Sequence, residues 1–278
     1  MPPSEETPAP PAAPGRSLAQ AIVTAVVLLV LIAVCAIGGR AWFFGLAIVA
    51  VLMAQFELLD ALVQKGRKPS IPLGLAATLA VLVAAYEEKF AYMGIVVAVT
   101  TYAAFVWALR PGRGATAPSD AAWTIFGLAW IGGGGAGAVS ILVMDGGLSL
   151  LIASILIVAC DDIGAYFAGT SFGRHKIAPS ISPAKSWEGF AGGMGTALAG
   201  GLAAAAILRE MTVPTGLALG AMAGLLAPVG DLVESLVKRE IGIKDSGRLL
   251  PGHGGMLDRL DAIVFCCPAI SLYLHFVA

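Results

Sequence analysis

The chain has 278 residues, of which 58% are hydrophobic and 13% are charged, and its mean hydropathy is +0.87. This composition excludes a soluble globular protein and indicates an integral membrane protein. The formal net charge of -1 says little about partners, because in a membrane protein the placement of charges in the loops matters more than their sum.

The first segment, residues 1–16, reads MPPSEETPAPPAAPGR and is rich in proline, alanine and acidic residues. It has too few large apolar side chains to form a core, so we predict a disordered cytoplasmic tail. A signal peptide over residues 1–38 is the alternative interpretation. The acidic start and the long apolar run of that segment instead favour an uncleaved first helix.

Stretches of about 20 apolar residues, the length that crosses a bilayer as a helix, predict an all-α polytopic membrane protein with about nine transmembrane helices. Their apolar runs are continuous rather than alternating, which excludes a transmembrane β-barrel. The predicted spans are 17–38, 42–63, 71–86, 90–109, 121–143, 147–169, 187–208, 214–237 and 261–277.

The basic residues fall unevenly on the two sides of these spans. Of the 17 Lys and Arg residues, all but Arg40, Lys89 and Arg209 lie in loops on one side. The positive-inside tendency then places the N-terminus in the cytoplasm and the C-terminus outside. After the tail 1–16 we distinguish a group of N-terminal transmembrane helices, 17–143, from a C-terminal transmembrane region, 147–278, which carries the motifs described next.

The first half of the chain carries its charges mostly at helix ends, whereas from residue 160 onward carboxylates occur inside apolar helices. Unpaired, each would cost a few kcal/mol in lipid, so they require compensating partners. The acidic residues of the first half, including Glu57 and Asp60, are interpreted as helix-end residues whose side chains reach the headgroups. The carboxylates in question are Asp161, Asp162, Asp231 and Glu234.

The segment GDLVESLVKRE, residues 230–240, places four polar side chains on one helical face. They are Asp231, Glu234, Ser235 and Lys238. Asp231 lies about 10 Å deeper along the helix than Lys238. A bound cation or an internal salt bridge to a lysine would each compensate a carboxylate at that depth.

A glycine-rich loop follows. In LPGHGG, residues 250–255, the glycines leave backbone N–H groups free to approach a ligand. The next segment, MLDRLD, places Asp258 and Asp261 one turn apart at the start of the last helix. The helix dipole alone would also favour carboxylates there.

The segment 161–190 joins two predicted spans through a basic loop. Ser182 followed by Pro183 predicts the N-cap and first position of the seventh helix. Free N–H groups beside Lys185 and Ser186 would then form an anion site, although a plain helix start with interfacial lysines explains the segment equally well. Carboxylates, glycine loop and bases together predict a phosphate-handling site with Mg²⁺ held by Asp231 and Asp258.

The stretch from Ser235 to Asp261 resembles the signature of the CTP:phosphatidate cytidylyltransferases, the CDP-diacylglycerol synthases. Residues 162–189 resemble the second conserved region of that family, with Ile163 where the family commonly has a small hydroxyl residue. The two regions lie in the last 120 residues or so. The matching signature residues are Ser235, Lys238, Arg239, Lys244, Asp245, Gly247, Pro251, His253, Gly254, Gly255, Asp258, Arg259 and Asp261.

The resemblance implies that phosphatidate attacks the α-phosphorus of CTP, which releases pyrophosphate and gives CDP-diacylglycerol. It implies Mg²⁺ as cofactor, a homodimer in the lipid bilayer of the cell inner (plasma) membrane with its site facing the cytoplasm, and no nucleic-acid partner. Asp231 and Asp258 are the expected metal ligands, and Asp162 and Asp261 are candidates for a second cation or for fixing basic residues. The catalytic candidates are Lys238, Arg239, Lys244, His253 and Arg259, and the substrate-binding candidates are Ser182, Lys185, Ser186, Ser235, Gly254 and Gly255.

Two other functions share some of these features. An ion-coupled transporter also uses intramembrane carboxylates near broken helices, but residues 17–143 show no matching interrupted spans. A CTP-dependent kinase of polyprenols or other lipid alcohols would share the metal and nucleotide chemistry and would need a base for its hydroxyl acceptor. The glycine-rich segment 132–137, GGGGAG, predicts either close helix contact or a kink.

Overall fold

The computed structural model describes residues 18–243, 246–247 and 254–277, and this part of the chain is nearly all helical. The predicted tail 1–16 lies outside the described residues. The helices are α1 Leu18–Gly38, α2 Arg40–Gln64, α3 Ile71–Tyr86, α4 Phe90–Ala108, α5 Ala117–Gly127, α6 Gly133–Val143, α7 Gly147–Phe172, α8 Trp187–Ile207, α9 Val213–Ile241 and α10 Leu257–Val277.

Seven helical runs in the described part of the chain are long and apolar enough to cross a membrane. Two shorter apolar helices, Val26–Gly38 and Ile71–Tyr86, coincide with predicted spans. The chain is therefore a polytopic, nearly all-α membrane protein, as its composition predicts. The count of nine spans and the sides of the termini stay predictions.

The fifth predicted span is a composite helix. A 3₁₀ turn, Gly114–Thr116, leads into α5, which continues through a π-helical segment, Leu128–Gly132, into α6. A side chain at Gly134 would collide with the backbone carbonyl of Val264 in α10, and one at Gly137 would lie 2.6 Å from the backbone nitrogen of Pro268. The glycine-rich segment therefore allows close contact between α6 and α10.

One predicted helix start is wrong. Residues Ser182–Ser186 form a strand, β2, which pairs antiparallel with β1, Lys176–Ala178. The fixed φ of Pro183 suits an extended strand as well as a first helical turn, and here backbone pairing with β1 decides between them. Ser182 is consequently a strand residue rather than an N-cap.

The N-cap of α8 is Ser186. Its Oγ accepts a hydrogen bond from the N–H of Gly189 at 3.2 Å, three residues into the turn, as helix-capping serines do. The hairpin therefore ends directly at the start of α8. It holds Lys185, the residue before the cap, beside the C-terminal half of α9.

Small residues bring α7, α8 and α9 close together. A Cβ at Gly192 in α8 would clash with Ala168 in α7, and a Cβ at Gly201 would meet the backbone of Gly216 in α9. Close backbone approach through small residues is the usual way in which transmembrane helices associate. It places the acidic turn of α7 and the acidic face of α9 at the same end of the bundle.

Candidate active site

The two helices that carry most of the predicted site meet at a glycine. A Cβ at Gly230 in α9 would lie 2.9 Å from Cβ of Phe265 and 3.0 Å from the carbonyl oxygen of Asp261, both in α10. Because Gly230 has no side chain, the backbones of α9 and α10 can approach closely at this level. Asp231 and Asp261 are thereby brought together.

Asp258, in the first turn of α10, accepts several hydrogen bonds. Its Oδ1 accepts from Nζ of Lys238 at 2.7 Å and from Oγ of Ser246 at 2.9 Å. Its Oδ2 accepts from the N–H of Gly255 at 2.8 Å, three residues earlier, in the manner of a capping box. The carboxylate is thus oriented both by its own helix start and by α9.

Lys238 joins two carboxylates. Its Nζ lies 2.9 Å from Oε2 of Glu234, one turn earlier on α9, as well as 2.7 Å from Asp258. Ser246 completes the group, because its Oγ also lies 3.1 Å from Oε1 of Glu234. Two residues of the predicted polar face, Glu234 and Lys238, therefore form one cluster with the start of α10.

Asp231 has the lysine partner that the sequence left as one of two alternatives. Nζ of Lys185 lies 2.7 Å from Oδ2 of Asp231 and 3.0 Å from the carbonyl oxygen of Pro228. The Asp231 side chain is nevertheless 31% exposed, so its carboxylate is still accessible. Lys185 reaches it from β2, which explains why this pair could not be deduced from the pattern of α9 alone.

Three further carboxylates surround this pair. Asp261 interacts electrostatically with both Asp231 and Glu234. Asp161 and Asp162, on α7, interact electrostatically with Asp231 and Lys185, and Asp162 also interacts with Arg259. Asp161 is 1% exposed, with its Oδ1 against Gly193 of α8, whereas Asp162 is exposed.

The residues present fit a hard cation. Six carboxyl groups lie in this region, and the basic side chains described among them are Lys185, Lys238 and Arg259, so acidic side chains outnumber basic ones. Among the described residues no group of three His, Cys, Asp or Glu is already placed to hold a metal ion. Mg²⁺ usually takes one or two carboxylates and completes its shell with water and substrate phosphates, which agrees with an open set of this kind.

The remaining predicted residues lie around this cluster. Ser235 is half-buried on α9, Arg239 is exposed at the end of α9, and Ser182 is half-buried on β2. Gly254 has a left-handed backbone, with φ of 84°, which glycine adopts without strain. Lys244 and His253 lie outside the described residues.

Glu188 in the first turn of α8 binds the chain that enters the hairpin. Its carboxylate accepts hydrogen bonds from the backbone N–H groups of Arg174 and His175, and Oε1 lies 2.6 Å from Nδ1 of His175. His175 is an exposed residue, as its position in a basic loop predicts. Glu188 therefore fixes the hairpin that carries Lys185.

Glu57 on α2 is a residue that the sequence interpretation missed. It is 4% exposed rather than directed to the headgroups, and its Oε2 accepts from the N–H of Leu257 at 2.9 Å. It therefore binds the first turn of α10 from a helix 200 residues away in the chain. The signal available in the sequence was an acidic residue in mid-span, of the kind treated as informative in the second half.

An apolar cleft lies along α9, where its lining residues Val233, Val237 and Arg239 are the sequence neighbours of Glu234 and Lys238. One part, of about 690 Å³, lies between α5 and α9, and a neighbouring part, of about 340 Å³, extends to α6 and α10. Phe126 and Val233 line both parts, so the two form one cleft along α9. Its polar end carries Ser119, Arg239 and Glu240.

Comparison with known proteins identifies the family to which this sequence is similar. The sequence profile of the Cytidylyltransferase family matches residues 19–277, which is nearly the whole chain. The phosphatidate cytidylyltransferase of Mycobacterium bovis is 37% identical over 90% of this chain and 86% of that protein. The phosphatidate cytidylyltransferase of Mycobacterium leprae is 34% identical over 90% of this chain and 85% of its own length.

A third similar protein, the phosphatidate cytidylyltransferase of Haemophilus influenzae, is 40% identical over 47% of each chain. The profile match includes the first helices as well as the signature region, so the resemblance is not confined to the motifs around Asp258. With its membrane fold and its converging carboxylates and lysines, the chain belongs to the cytidylyltransferase family.

Proposed function

We propose that this protein is a Mg²⁺-dependent phosphatidate cytidylyltransferase. A phosphate oxygen of phosphatidate forms a bond to the α-phosphorus of CTP, the bond from that phosphorus to the bridging oxygen breaks, and pyrophosphate leaves. The observation that carries the proposal is the cluster of Asp258, Lys238, Glu234 and Ser246 in a chain that matches the family over nearly its whole length.

The residues of the candidate site have distinct tasks in this reaction. Mg²⁺, when bound, would neutralise charge on the triphosphate, and Asp231 and Asp258 would hold it. Lys185 and Lys238 provide positive charge for the phosphate groups of two polyanionic reactants. Because a phosphate monoester is already ionised near neutral pH, no side chain has to generate the nucleophile.

The apolar cleft supports a lipid acceptor. Its wall from Ser119 to Gly134 spans 15 positions of a helical run, or about 22 Å at 1.5 Å per residue. One leaflet of hydrocarbon is about 15 Å thick. An acyl chain in this cleft would place its headgroup near Arg239, next in sequence to Lys238.

We further propose that the site faces the cytoplasm of the inner (plasma) membrane and that the protein is a homodimer. The distribution of basic residues supports the first statement, since the loops on the side of Lys185 and Lys238 hold most of the Lys and Arg residues. The second rests on the family resemblance. Light scattering of the detergent complex would measure the oligomer.

The test is a pair of labelled nucleotides. Purified protein in detergent is incubated with phosphatidate, Mg²⁺ and CTP that carries label at the α- or the γ-phosphate. We expect α-label, and no γ-label, in the lipid phase. Transfer of γ-label to a polyprenol would show a lipid kinase instead, and absence of α-label from lipid with every divalent cation would exclude the proposed activity.

A further inference from the structure

We infer that Glu57 is a positioning residue for this reaction. Its carboxylate, supplied by α2, holds the short segment before α10 in the arrangement that presents Asp258 and Lys238 to the substrates. The inference rests on the proposed function. It also gives α2, one of the N-terminal helices, a role in the site beyond that of a membrane scaffold.

The first support is the burial of Glu57. Placing an ionisable carboxylate in an apolar environment is unfavourable unless hydrogen bonds compensate it. Oε2 of Glu57 has such a bond from Leu257, while its Oε1 has no hydrogen-bond partner among the described residues. A side chain kept at this cost on a helix otherwise suited to lipid indicates a purpose beyond anchoring α2.

The second support comes from two glycines that surround the carboxylate. The three atoms nearest to a Cβ at Gly247 would all belong to Glu57, including an overlapping Oε1. A Cβ at Gly255 would lie 2.5 Å from Oε2 of Glu57 and 2.8 Å from the nitrogen of Gly247. Neither glycine has a left-handed backbone, so the missing side chains provide room for Glu57 rather than conformational freedom.

The third support is the connection from Glu57 to Asp258. Gly255, which contacts Glu57, donates its N–H to Oδ2 of Asp258. Leu257 donates its N–H to Glu57 and directly precedes Asp258. Loss of the Glu57 carboxylate would therefore remove the hydrogen bond that holds Leu257, next to Asp258, and the side chain against which Gly255 packs.

The experiment compares Glu57→Ala with Glu57→Gln, which keeps an oxygen acceptor for Leu257. Asp60→Asn is the matched control, because Asp60 is one turn further along α2 and pairs locally with Gln64. Two readouts are taken for each protein. They are kcat and KM for CTP with phosphatidate, and hydrogen exchange of the backbone amides in residues 254–262, which needs no turnover.

We expect Glu57→Ala to speed exchange in 254–262 and to lower kcat by about 10- to 100-fold, the range for losing a hydrogen bond to a charged group. Glu57→Gln should keep most of the wild-type protection from exchange and most of the wild-type kcat. Asp60→Asn should match the wild type in both measurements. A global loss of folding would instead speed exchange throughout the helices, so the exchange pattern separates the two.

A double-mutant cycle tests the contact itself. Gly247→Ala should reduce kcat in the wild-type protein and do so much less in Glu57→Ala, because the added methyl group then has space. Equal effects in the two backgrounds would contradict the inference.

Unchanged exchange in Glu57→Ala would overturn the inference, and so would faster exchange with unchanged kcat, since the contact would then be structural only. An inactive wild-type protein would overturn the proposed function instead. The exchange comparison would still decide whether Glu57 holds this segment.

Discussion

Lys238 and Asp258 lie 20 positions apart in the chain, yet Nζ of Lys238 and Oδ1 of Asp258 are separated by 2.7 Å. One residue ends the polar face of α9 and the other begins α10. Their ion pair therefore closes the connection between the two helices at the level where the carboxylates converge. It also keeps a base directly beside a predicted metal ligand.

Removal of the Asp258 carboxylate should abolish most of the activity. We expect Asp258→Asn to reduce the transfer of α-label into lipid by at least about 100-fold, because a transition-state charge interaction is lost. Asp145→Asn is the control, since Asp145 is an exposed residue in the short connection between α6 and α7. Near-normal transfer by Asp258→Asn would remove Asp258 from the site.

The sequence leaves two explanations for Asp231 open, a salt bridge to a lysine or a bound cation. Variants of Lys185 and Asp231 can distinguish them. If the pair is only a salt bridge, Lys185→Met combined with Asp231→Asn should recover the activity that each single change removes. If Asp231 binds the cation, Asp231→Asn and the double variant should both need more Mg²⁺ for half-maximal activity, whereas Lys185→Met alone should keep the Mg²⁺ dependence of the wild type. We expect the second result, measured as initial rates over a Mg²⁺ titration.

The apolar cleft predicts a dependence on acyl-chain length. We expect Ala122→Trp to fill the part between α5 and α9 and to raise KM for dioleoyl phosphatidate about 10-fold, the effect of losing roughly 1.4 kcal/mol of binding. Dihexanoyl phosphatidate should be affected little. Leu225→Trp, on the exposed side of α9, is the control. Equal effects on both lipids would argue against acyl binding here.

Adjacent glycines in α6 should respond oppositely to a methyl group. Gly134→Ala should destabilise the protein by about 1–3 kcal/mol, since α6 and α10 would have to separate. Gly133→Ala meets nothing within 4 Å and should stabilise the helix by up to about 1 kcal/mol. Unfolding midpoints in one detergent give the comparison, and equal midpoints would contradict the close contact.

Much of the helical architecture could be predicted, because long apolar runs leave the backbone few alternatives in a bilayer. The boundaries 71–86 agree with α3, and the predicted start of the sixth span agrees with Gly147 of α7. Ser182 was misassigned because its local sequence suits a strand or a helix start. Only pairing with β1 distinguishes them, and that depends on residues elsewhere in the fold.

The residues of the candidate site could largely be predicted from the sequence, but the ion pairs between them could not. The shared face of Asp231, Glu234 and Lys238 follows from helical periodicity alone. Which base neutralises which carboxylate depends on how β2, α9 and α10 approach one another. Glu57 was missed for the same reason, since its partner Leu257 is far away in the chain and only packing brings them together.

The contact between Glu57 and Leu257 also has a consequence for biosynthesis. At a translation rate of 5–20 residues per second, the 200 positions between them correspond to roughly 10–40 s. During that interval the second helix is already made while its partner segment is still absent. The carboxylate of Glu57 must then be accommodated by water, headgroups or the membrane-insertion machinery until α10 is synthesised and the N–H of Leu257 becomes available to it.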